Sequence, residues 1–321
     1  MAERSRQREP AQPLRVKKQL RLGIGDDAAL VMAQSGHELI LTIDMSIEDV
    51  HFTRRLHPPD AVGHRALARS LSDVAAMGGV PRYALVSLAI SRETSRGWVS
   101  RFYRGMLALA QRFGVELVGG DTAMVPGKTF IDVLVAGEVP RGKALLRSGA
   151  RAGDQIFVSD RLGLSALGLR LLQSQRRGPI SKAAAREAVR SHLYPEPQCA
   201  LGRFLSIRGL ASALMDLSDG LSTDLSRLCE ASGVGAHLWE DKIPCPNLPD
   251  PADSLQLALH GGEDYQLLIT APGATGSRRP LKFRGRPLHH IGEIVASKGV
   301  KLVMPSGKLH NLEPAGWDHF R

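Results

Sequence analysis

Short apolar runs rich in β-branched residues alternate with stretches of helical periodicity through the first half of the chain. Residues 38–44, 82–90 and 130–139 are such runs, and each predicts a β-strand. The stretches between them place apolar residues three and four positions apart, which is the spacing of an amphipathic helix. The order of these elements predicts a mixed α/β domain.

Two helices are predicted in this half. The first follows Asp60, which we expect to cap it, and it ends at the glycine pair 78–79. Polar residues flank its apolar face, namely Arg69, Ser70 and Asp73. The second covers residues 98–113 and stops at Gly114, after which we expect a strand that ends at the GGD sequence of residues 119–121.

The pattern restarts after Arg141, which predicts a domain boundary near residues 140–150. In the second half an apolar strand ends at Asp216, and a turn and a helix follow it up to Gly233. Another apolar strand begins directly after the sequence HGGEDY, residues 260–265. We therefore expect the second half to have a core of its own.

Acidic residues recur where these strands, helices and glycine turns meet. They are Asp26, Asp27, Asp44, Asp73, Asp121, Asp216, Asp219, Glu263 and Asp264. A single aspartate at such a place is more often a cap or turn residue, and this remains the alternative for Asp219 in particular. The recurrence at separate junctions favours cation binding. Carboxylates without clustered His or Cys favour Mg²⁺, which bridges protein carboxylates and phosphate groups.

Composition narrows the class of protein. The net charge is +10, but residues 1–21 carry seven basic and two acidic side chains, so we interpret them as a flexible basic tail. No apolar run approaches the roughly 20 residues of a membrane helix, and the start of the chain lacks a signal-peptide pattern, so we expect a cytosolic protein without a membrane partner. Three cysteines without CxxC spacing indicate neither a disulfide framework nor a zinc site.

Common nucleotide-binding motifs are missing. The sequence has no GxxxxGK[ST] loop, no GxGxxG after a strand and no HRD or DFG motif. A nucleotide enzyme with this sequence would therefore handle phosphates chiefly through metals. The basic sequence RRPLKFRGR, residues 278–286, keeps a nucleic-acid-binding protein open as an alternative, but Phe283 is its only aromatic residue and we expect no nucleic-acid partner.

Eight motifs occur in an order and spacing that are together highly specific. They are GIGDDAAL, TIDMSIEDVHF, LSDVAAMGG, ELVGGDT, ALLRSGARAGD, MDLSDGLSTDL, GGEDY and GWDHF. With them, residues 22–320 resemble the thiamine-monophosphate kinase family of the PurM-like, or aminoimidazole-ribonucleotide synthetase, superfamily. The resemblance implies a two-domain fold of the α/β and α+β classes, with an N-terminal domain over residues 22–145 and a C-terminal α+β domain over residues 146–321. By analogy, the N-terminal strands of two subunits would pair into the β-barrel of a homodimer.

The resemblance also assigns roles to individual residues. The magnesium positions are Asp27, Thr42, Ile43, Asp44, Asp73, Asp121, Asp216 and Asp219. The nucleotide contacts are Tyr103, Gly120, Asp121, Arg147 and Ser218, and the substrate contacts are His51, Glu263 and Trp317. The residues expected to carry catalysis are Asp44, Asp73, Asp121 and Arg147.

The implied reaction transfers the γ-phosphoryl group of ATP to the phosphate of thiamine monophosphate, giving thiamine diphosphate and ADP. The acceptor is already an anion, so repulsion is the main obstacle, and several Mg²⁺ ions with Arg147 would neutralise and align the reactants. The sequence departs from the family at Ile43, which offers only a backbone oxygen, at Asp49, where Gly is frequent, and at Ser70, where Asn is frequent. Another synthetase of the superfamily, one that makes selenophosphate or aminoimidazole ribonucleotide, is the nearest alternative.

Overall fold

The computed structural model describes residues 20–22, 30–174, 180–273 and 281–317. The strands are β1 (Leu20–Leu22), β2 (Leu30–Val31), β3 (His37–Ile47), β4 (Val80–Ser91), β5 (Glu116–Val125), β6 (Phe130–Pro140), β7 (Gln155–Val158), β8 (Ala213–Leu217), β9 (Gly235–Trp239), β10 (Gln266–Ala271), β11 (Lys282–Phe283), β12 (Arg286–Pro287), β13 (His289–Val295), β14 (Gly299–Val303) and β15 (Leu309–Asn311). The helices are α1 (Pro59–Ala76), α2 (Arg96–Phe113), α3 (Leu164–Gln173), α4 (Lys182–Leu193), α5 (Cys199–Arg208), α6 (Leu221–Ser232) and α7 (Pro251–His260).

Two sequence predictions concern N-terminal residues that lie wholly or mostly outside the described ranges. Asp26 and Asp27 lie outside the described residues. The predicted tail also lies outside them except at residues 20 and 21, which belong to β1 and pair with β2. The interpretation of residues 20 and 21 as tail was therefore wrong, because they take part in a short antiparallel pair.

The N-terminal half forms a four-stranded sheet with the order β3-β6-β4-β5. The pair β4 and β5 is parallel and the other pairs are antiparallel. Side chains alternate across β3, so Thr42 faces α1, where it donates a hydrogen bond to Asp73. The alternate residues Leu39, Leu41, Ile43 and Met45 face away and are exposed. Within the described residues the sheet is open, with β3 and β5 at its edges.

Helix α1 lies at the centre of the molecule and is buried along most of its length. It packs against the four-stranded sheet and α2, and also against α5 and β8 of the second half. Glycine permits the close approach to α2, because a Cβ at Gly63 would lie 2.0 Å from the carbonyl oxygen of Phe102. The helix begins with Pro59 at its first position. The prediction that Asp60 caps it was wrong, since the Asp60 carboxylate instead accepts a hydrogen bond from the Tyr194 hydroxyl at 2.6 Å.

The C-terminal half forms a seven-stranded mixed sheet with the order β15-β14-β9-β13-β7-β10-β8. Strand β8 is its edge, and this edge lies against α1. One hydrophobic core is continuous across the two halves, since Leu67 and Leu71 of α1 share a cluster with Leu205 of α5 and Leu214 of β8. The packing therefore fixes the end of β8 beside the end of α1.

The strand predicted to end at the GGD sequence continues to Val125 in the structure. Its pairing with β4 runs without interruption from Leu85 and Gly119 to Ser91 and Val125. The glycines thus mark an irregularity inside an edge strand instead of its end. No helix among the described residues is long and apolar enough to cross a membrane.

Candidate active site

A cavity of about 460 Å³ opens where the two halves meet, a size typical of small-ligand sites. It is lined by four aspartates, Asp44, Asp73, Asp216 and Asp219, and also by His51, Glu263 and Trp317. Ser218 also lines it. The cavity therefore brings together four of the eight predicted metal residues and all the predicted substrate contacts.

The four aspartates come from four different elements of the fold. Asp44 lies on β3, Asp73 near the end of α1, Asp216 on β8 and Asp219 just before α6. Asp73 accepts a hydrogen bond from Thr42, and Asp216 accepts one from the Ser72 hydroxyl at 2.7 Å. These bonds hold the carboxylates in place. We call Asp44, Asp73, Asp216 and Asp219 the acid cluster.

Crowding raises the pKa of two carboxyl groups in the acid cluster. Burial raises the pKa of Asp73, and the charges of Asp216 and Asp44 raise it further. Burial also raises the pKa of Asp216 against the hydrogen bond from Ser72, while the Arg147 guanidinium works to lower the pKa of both groups. The carboxylates therefore repel one another, and a divalent cation would relieve that repulsion.

The donor set fits Mg²⁺ that is held partly by the protein. No three His, Cys, Asp or Glu side chains in the described ranges form a closed metal cage by themselves. Mg²⁺ usually takes one or two carboxylates and completes its six ligands with water and substrate phosphates. The oxygen-only acid cluster, open to the cavity, matches that pattern.

The turn between β8 and α6 is held by a residue that the sequence did not point to. The buried Asp224 carboxylate accepts the backbone N–H of Asp219 at 3.0 Å and of Gly220 at 3.1 Å. Burial raises the pKa of Asp224 to about 7 against these bonds, and the neighbouring Asp219 adds to the rise. Asp224 therefore positions the loop that carries Ser218 and Asp219, because its side chain caps the start of α6 from inside the helix.

Glu263 lines the same cavity and lies beside the loop that carries Ser218 and Asp219. Its backbone has a φ of 65°, and its N–H donates to the carbonyl oxygen of Ser218 at 2.7 Å. Its carboxylate lies 2.5 Å from the guanidinium of Arg65. Burial favours a raised pKa, but the charge of Arg65 and the nearby His192 outweigh it and hold the pKa of Glu263 at about 2. Glu263 is thus a fixed anion that faces the cavity.

Asp264 follows Glu263 in the sequence but does not line the cavity. Its buried carboxylate accepts the backbone N–H of Gly163 at 2.5 Å and of Ser165 at 3.0 Å. These are amide groups at the start of α3, so Asp264 caps that helix from the loop before β10. The carboxylate is therefore structural, which corrects its inclusion among the cation candidates.

Two histidines form a buried hydrogen-bonded pair beside Glu263. The Nε2 atoms of His57 and His192 are 3.0 Å apart, and Nδ1 of His192 lies 3.0 Å from the Ser165 hydroxyl and 3.7 Å from Glu263. Burial, with the nearby Arg65 charge, lowers the pKa of His57 to about 4 and of His192 to about 3. Both rings are therefore neutral at pH 7, and one donates to the other.

His51 and Trp317 also line the cavity. Nδ1 of His51 accepts the backbone N–H of Ile47 at 3.0 Å, so the neutral ring carries its proton on Nε2. Trp317 is 50% exposed, and its backbone N–H donates to the carbonyl oxygen of Asp219 at 3.1 Å. This bond ties the C-terminal segment to the loop that carries part of the acid cluster.

Four of the five predicted nucleotide residues, all but Ser218, do not line this cavity. Tyr103 lies on α2 and packs edge-on against Phe102, and Arg147 is exposed but close enough to influence Asp73 and Asp216. Gly120 lies on β5, where φ is 154° and a Cβ would lie 2.1 Å from the carbonyl oxygen of Val86. Only glycine fits there.

Asp121 is separated from Asp44 within one protomer. Its β5 position pairs with Ser87 of β4, which in turn pairs with Asp132 and then with Met45 of β3. Residues that pair across a sheet share a face, so Asp121 points to the face of Met45, opposite that of Asp44. The structure therefore does not bring Asp121 to the acid cluster, and its metal and nucleotide roles stay predictions.

The structure also explains two departures and reveals two arginines. Asp49 adopts a φ of 67°, the conformation for which glycine is preferred, and Ser70 donates to the Val133 carbonyl oxygen at 2.8 Å. Arg65 and Arg69 line or support the cavity from α1, although no motif pointed to them. Their spacing of four residues from each other and from Asp73 is a helical signal that was visible in the sequence.

Two family models match the chain, one in each half. The family model "AIR synthase related protein, N-terminal domain" matches residues 25–139, and its C-terminal counterpart matches residues 151–305. Fold and site thus define a two-domain protein of the AIR synthase related class.

Relatives narrow the class further. The chain is 36% identical over 305 residues to the thiamine-monophosphate kinase of Bacillus subtilis, covering 94% of each chain. The crystal structure of thiamine-monophosphate kinase from Stenotrophomonas maltophilia has a TM-score of 0.78 and 33% identity and covers 92% of this chain and 96% of that one. The structure described as AaThiL complexed with AMPPCP and TMP has a TM-score of 0.78 and 35% identity, with 92% of each chain covered. The chain belongs to the thiamine-monophosphate kinase family, which confirms the resemblance.

Proposed function

We propose that this protein transfers the γ-phosphoryl group of ATP to thiamine monophosphate, giving thiamine diphosphate and ADP. The observation that carries the proposal is one cavity lined both by the acid cluster and by Glu263, His51 and Trp317. The complex of the similar ThiL structure with AMPPCP, an ATP analogue, and TMP supports both substrates. The close relatives named as thiamine-monophosphate kinases support the reaction.

The chemistry needs alignment more than activation. An oxygen of the acceptor phosphate attacks the γ-phosphorus, the bond from that phosphorus to the β–γ bridging oxygen breaks, and ADP leaves with the electron pair. The acceptor is ionised at neutral pH, so no strong general base is required. The main work of the protein is to hold two anions in line and to offset their repulsion.

Magnesium is part of the proposal. The residues that would hold it are Thr42, Ile43 through its backbone oxygen, Asp44, Asp73, Asp216 and Asp219, while the metal roles of Asp27 and Asp121 stay predictions. Bound there, Mg²⁺ would neutralise phosphate charge as a Lewis acid. The mutual repulsion within the acid cluster supports this assignment. Asp44 and Asp73 would orient the reacting phosphates through it.

Other residues would bind the two substrates. We assign the nucleotide to Tyr103, Gly120, Asp121, Arg147 and Ser218. Arg147 would add positive charge beside the acid cluster, which its effect on the pKa of Asp73 and Asp216 supports. His51 would donate from Nε2 to the acceptor phosphate, while Glu263 and Trp317 would contact the cationic and aromatic parts of thiamine.

A homodimer is also proposed, with the open N-terminal sheet as its interface. Large apolar side chains are exposed on the face opposite the acid cluster, namely Leu39, Leu41, Ile43, Met45, Leu85 and Phe130. A contiguous exposed apolar face indicates an interaction surface, and pairing with a second copy would extend the sheet towards a barrel. Light scattering of the purified protein should give twice the 34.7 kDa chain mass.

The predicted domain boundary at 145/146 and the cytosolic location stay predictions.

A coupled assay of ADP release tests the function. We expect release with ATP, Mg²⁺ and thiamine monophosphate, and none with thiamine or with an aminoimidazole ribonucleotide precursor. Release with the aminoimidazole precursor, or with selenide, in place of thiamine monophosphate would instead assign the protein to another reaction of the superfamily. Release that needs no added acceptor would contradict the proposal.

A further inference from the structure

Three residues of α1 line up along the face that meets the cavity. Arg65, Arg69 and Asp73 are spaced four residues apart, so each lies about 6 Å further along the helix axis on one face. Arg65 pairs with Glu263, and Asp73 belongs to the acid cluster. Along α1, Arg69 therefore lies between the partner of Glu263 and the acid cluster.

Arg69 differs from Arg65 in how much of its hydrogen-bonding capacity is used. Arg65 donates to the carbonyl oxygen of His192 and to Glu263. Arg69 is 16% exposed and has one ion pair, a contact of 3.5 Å to Asp44, and its buried Nε has no hydrogen-bond partner among the described residues. A guanidinium has five N–H donors, and leaving buried donors unused is costly. The position is therefore built for an anion that the protein itself does not supply.

We propose that Arg69 binds the phosphate group of the acceptor, a phosphate monoester, through its guanidinium fork. The inference rests on the proposed function, because that function requires an anionic acceptor in this cavity. Carboxylates surround Arg69 at Asp44, Asp219 and Glu263, so its charge also offsets theirs when a second anion enters. Two parallel N–H donors match the geometry of a phosphate, which a lysine would not reproduce.

The acceptor, and not the nucleotide, is the anion that this position fits. Arg69 lines the cavity together with the predicted substrate contacts, whereas Arg147 does not line it and acts on Asp73 and Asp216. One arginine thus serves each side of the reacting pair. Arg69 contacts the substrate and forms no covalent bond to it, so the atoms transferred are unchanged.

Titration calorimetry with thiamine monophosphate and with thiamine tests this role. The two ligands differ only by the phosphate, so the ratio of their dissociation constants measures what the protein gains from that group. Arg69→Gln should reduce the ratio about tenfold to hundredfold, while the affinity for thiamine itself stays within about twofold. Arg69→Lys should recover part of the loss, since it keeps the charge but not the fork. Arg101→Gln, an exposed arginine on α2, is the control and should leave the ratio unchanged.

Steady-state kinetics supply a second readout on the same variants. We expect Arg69→Gln to raise KM for thiamine monophosphate by a similar factor and to leave KM for ATP within about twofold. An unchanged ratio, or a loss that falls on ATP instead, in a variant with wild-type circular dichroism would overturn the inference while the wild-type activity keeps the proposed function. A wild-type protein that neither binds nor phosphorylates thiamine monophosphate would instead overturn the proposed function, and this inference with it.

Discussion

Replacing Glu263 by Gln removes one charge from the ion pair with Arg65 and leaves the shape of the side chain nearly unchanged. The Glu263 carboxylate lies 2.5 Å from the Arg65 guanidinium, and the two side chains are 26% and 5% exposed. In the variant the Arg65 charge has no anionic partner and keeps only neutral acceptors, the new amide oxygen at position 263 and the carbonyl oxygen of His192. We therefore expect Glu263→Gln to lower stability as well as substrate binding.

The structure gives the magnitude by two routes. A pKa held at about 2 against an ordinary value of 4.5 corresponds to about 3 kcal/mol of stabilisation at pH 7. Removing one partner of a buried ion pair costs about 3–5 kcal/mol, and the partial exposure of Glu263 favours the lower figure. For 321 residues, with an unfolding entropy of about 2.1 cal/mol/K per residue, 3 kcal/mol lowers Tm by about 4 °C.

Thermal unfolding of Glu263→Gln, Arg65→Met and the double variant is the assay. The double variant leaves no unpaired charge. We therefore expect its loss of unfolding free energy to be smaller, by about 2 kcal/mol, than the sum of the losses in the two single variants. Both single variants should raise KM for thiamine monophosphate, because Arg65 orients Glu263. Additive losses in the double variant, or a single variant with unchanged Tm, would refute the view that the pair is coupled and buried.

Three further changes test other parts of the site. Asp44→Asn should abolish turnover with little change in Tm, since it removes an anionic ligand, and near-normal activity in saturating Mg²⁺ would contradict its metal role. Trp317→Ala should weaken thiamine monophosphate about twofold to thirtyfold and ATP hardly at all in equilibrium binding; equal losses would leave the residue as a structural anchor. The pKa of His192, about 3 in the fold against 6.5 when unfolded, keeps the folded ring neutral, so stability is complete above about pH 6.5 and is lost as pH falls. Urea unfolding should show about 2 kcal/mol less stability from His192 at pH 5 than at pH 7, and His192→Asn should show that much less pH dependence; identical profiles would disprove the shift.

Local signals in the sequence predicted several elements well. The second helix was predicted over residues 98–113 with a stop at Gly114, and the structure has α2 at Arg96–Phe113 with Gly114 in the left-handed conformation. The start was missed by two residues because Ser95, whose hydroxyl accepts the N–H of Trp98 at 3.1 Å, precedes the apolar pattern. The helix that ends at Gly233 was predicted for the same kind of reason.

Errors came where a distant partner decides the conformation. The strand β5 continues past the GGD sequence because β4 supplies hydrogen bonds along its whole length, and this pairing is not encoded by the glycines. The sequence context of Asp264 resembled that of the other acids, but its carboxylate accepts hydrogen bonds from the N-terminus of α3. In both cases propensity was overridden by tertiary contacts.

The sequence by itself determined which residue types stand at the junctions of strands and helices, because capping, turn formation and periodicity act over a few neighbouring residues. It thereby predicted the acids, the resemblance to the family and the oxygen-based chemistry. Only the tertiary structure decided which junctions meet. Ser72 and Asp216 are 144 residues apart, and Arg65 and Glu263 are 198 residues apart, yet each pair is in hydrogen-bond contact. Those contacts exist because the β8 edge packs against α1 in a shared apolar core. Burial and the neighbouring charges then shift pKa values, such as that of Glu263, away from those of the unfolded chain.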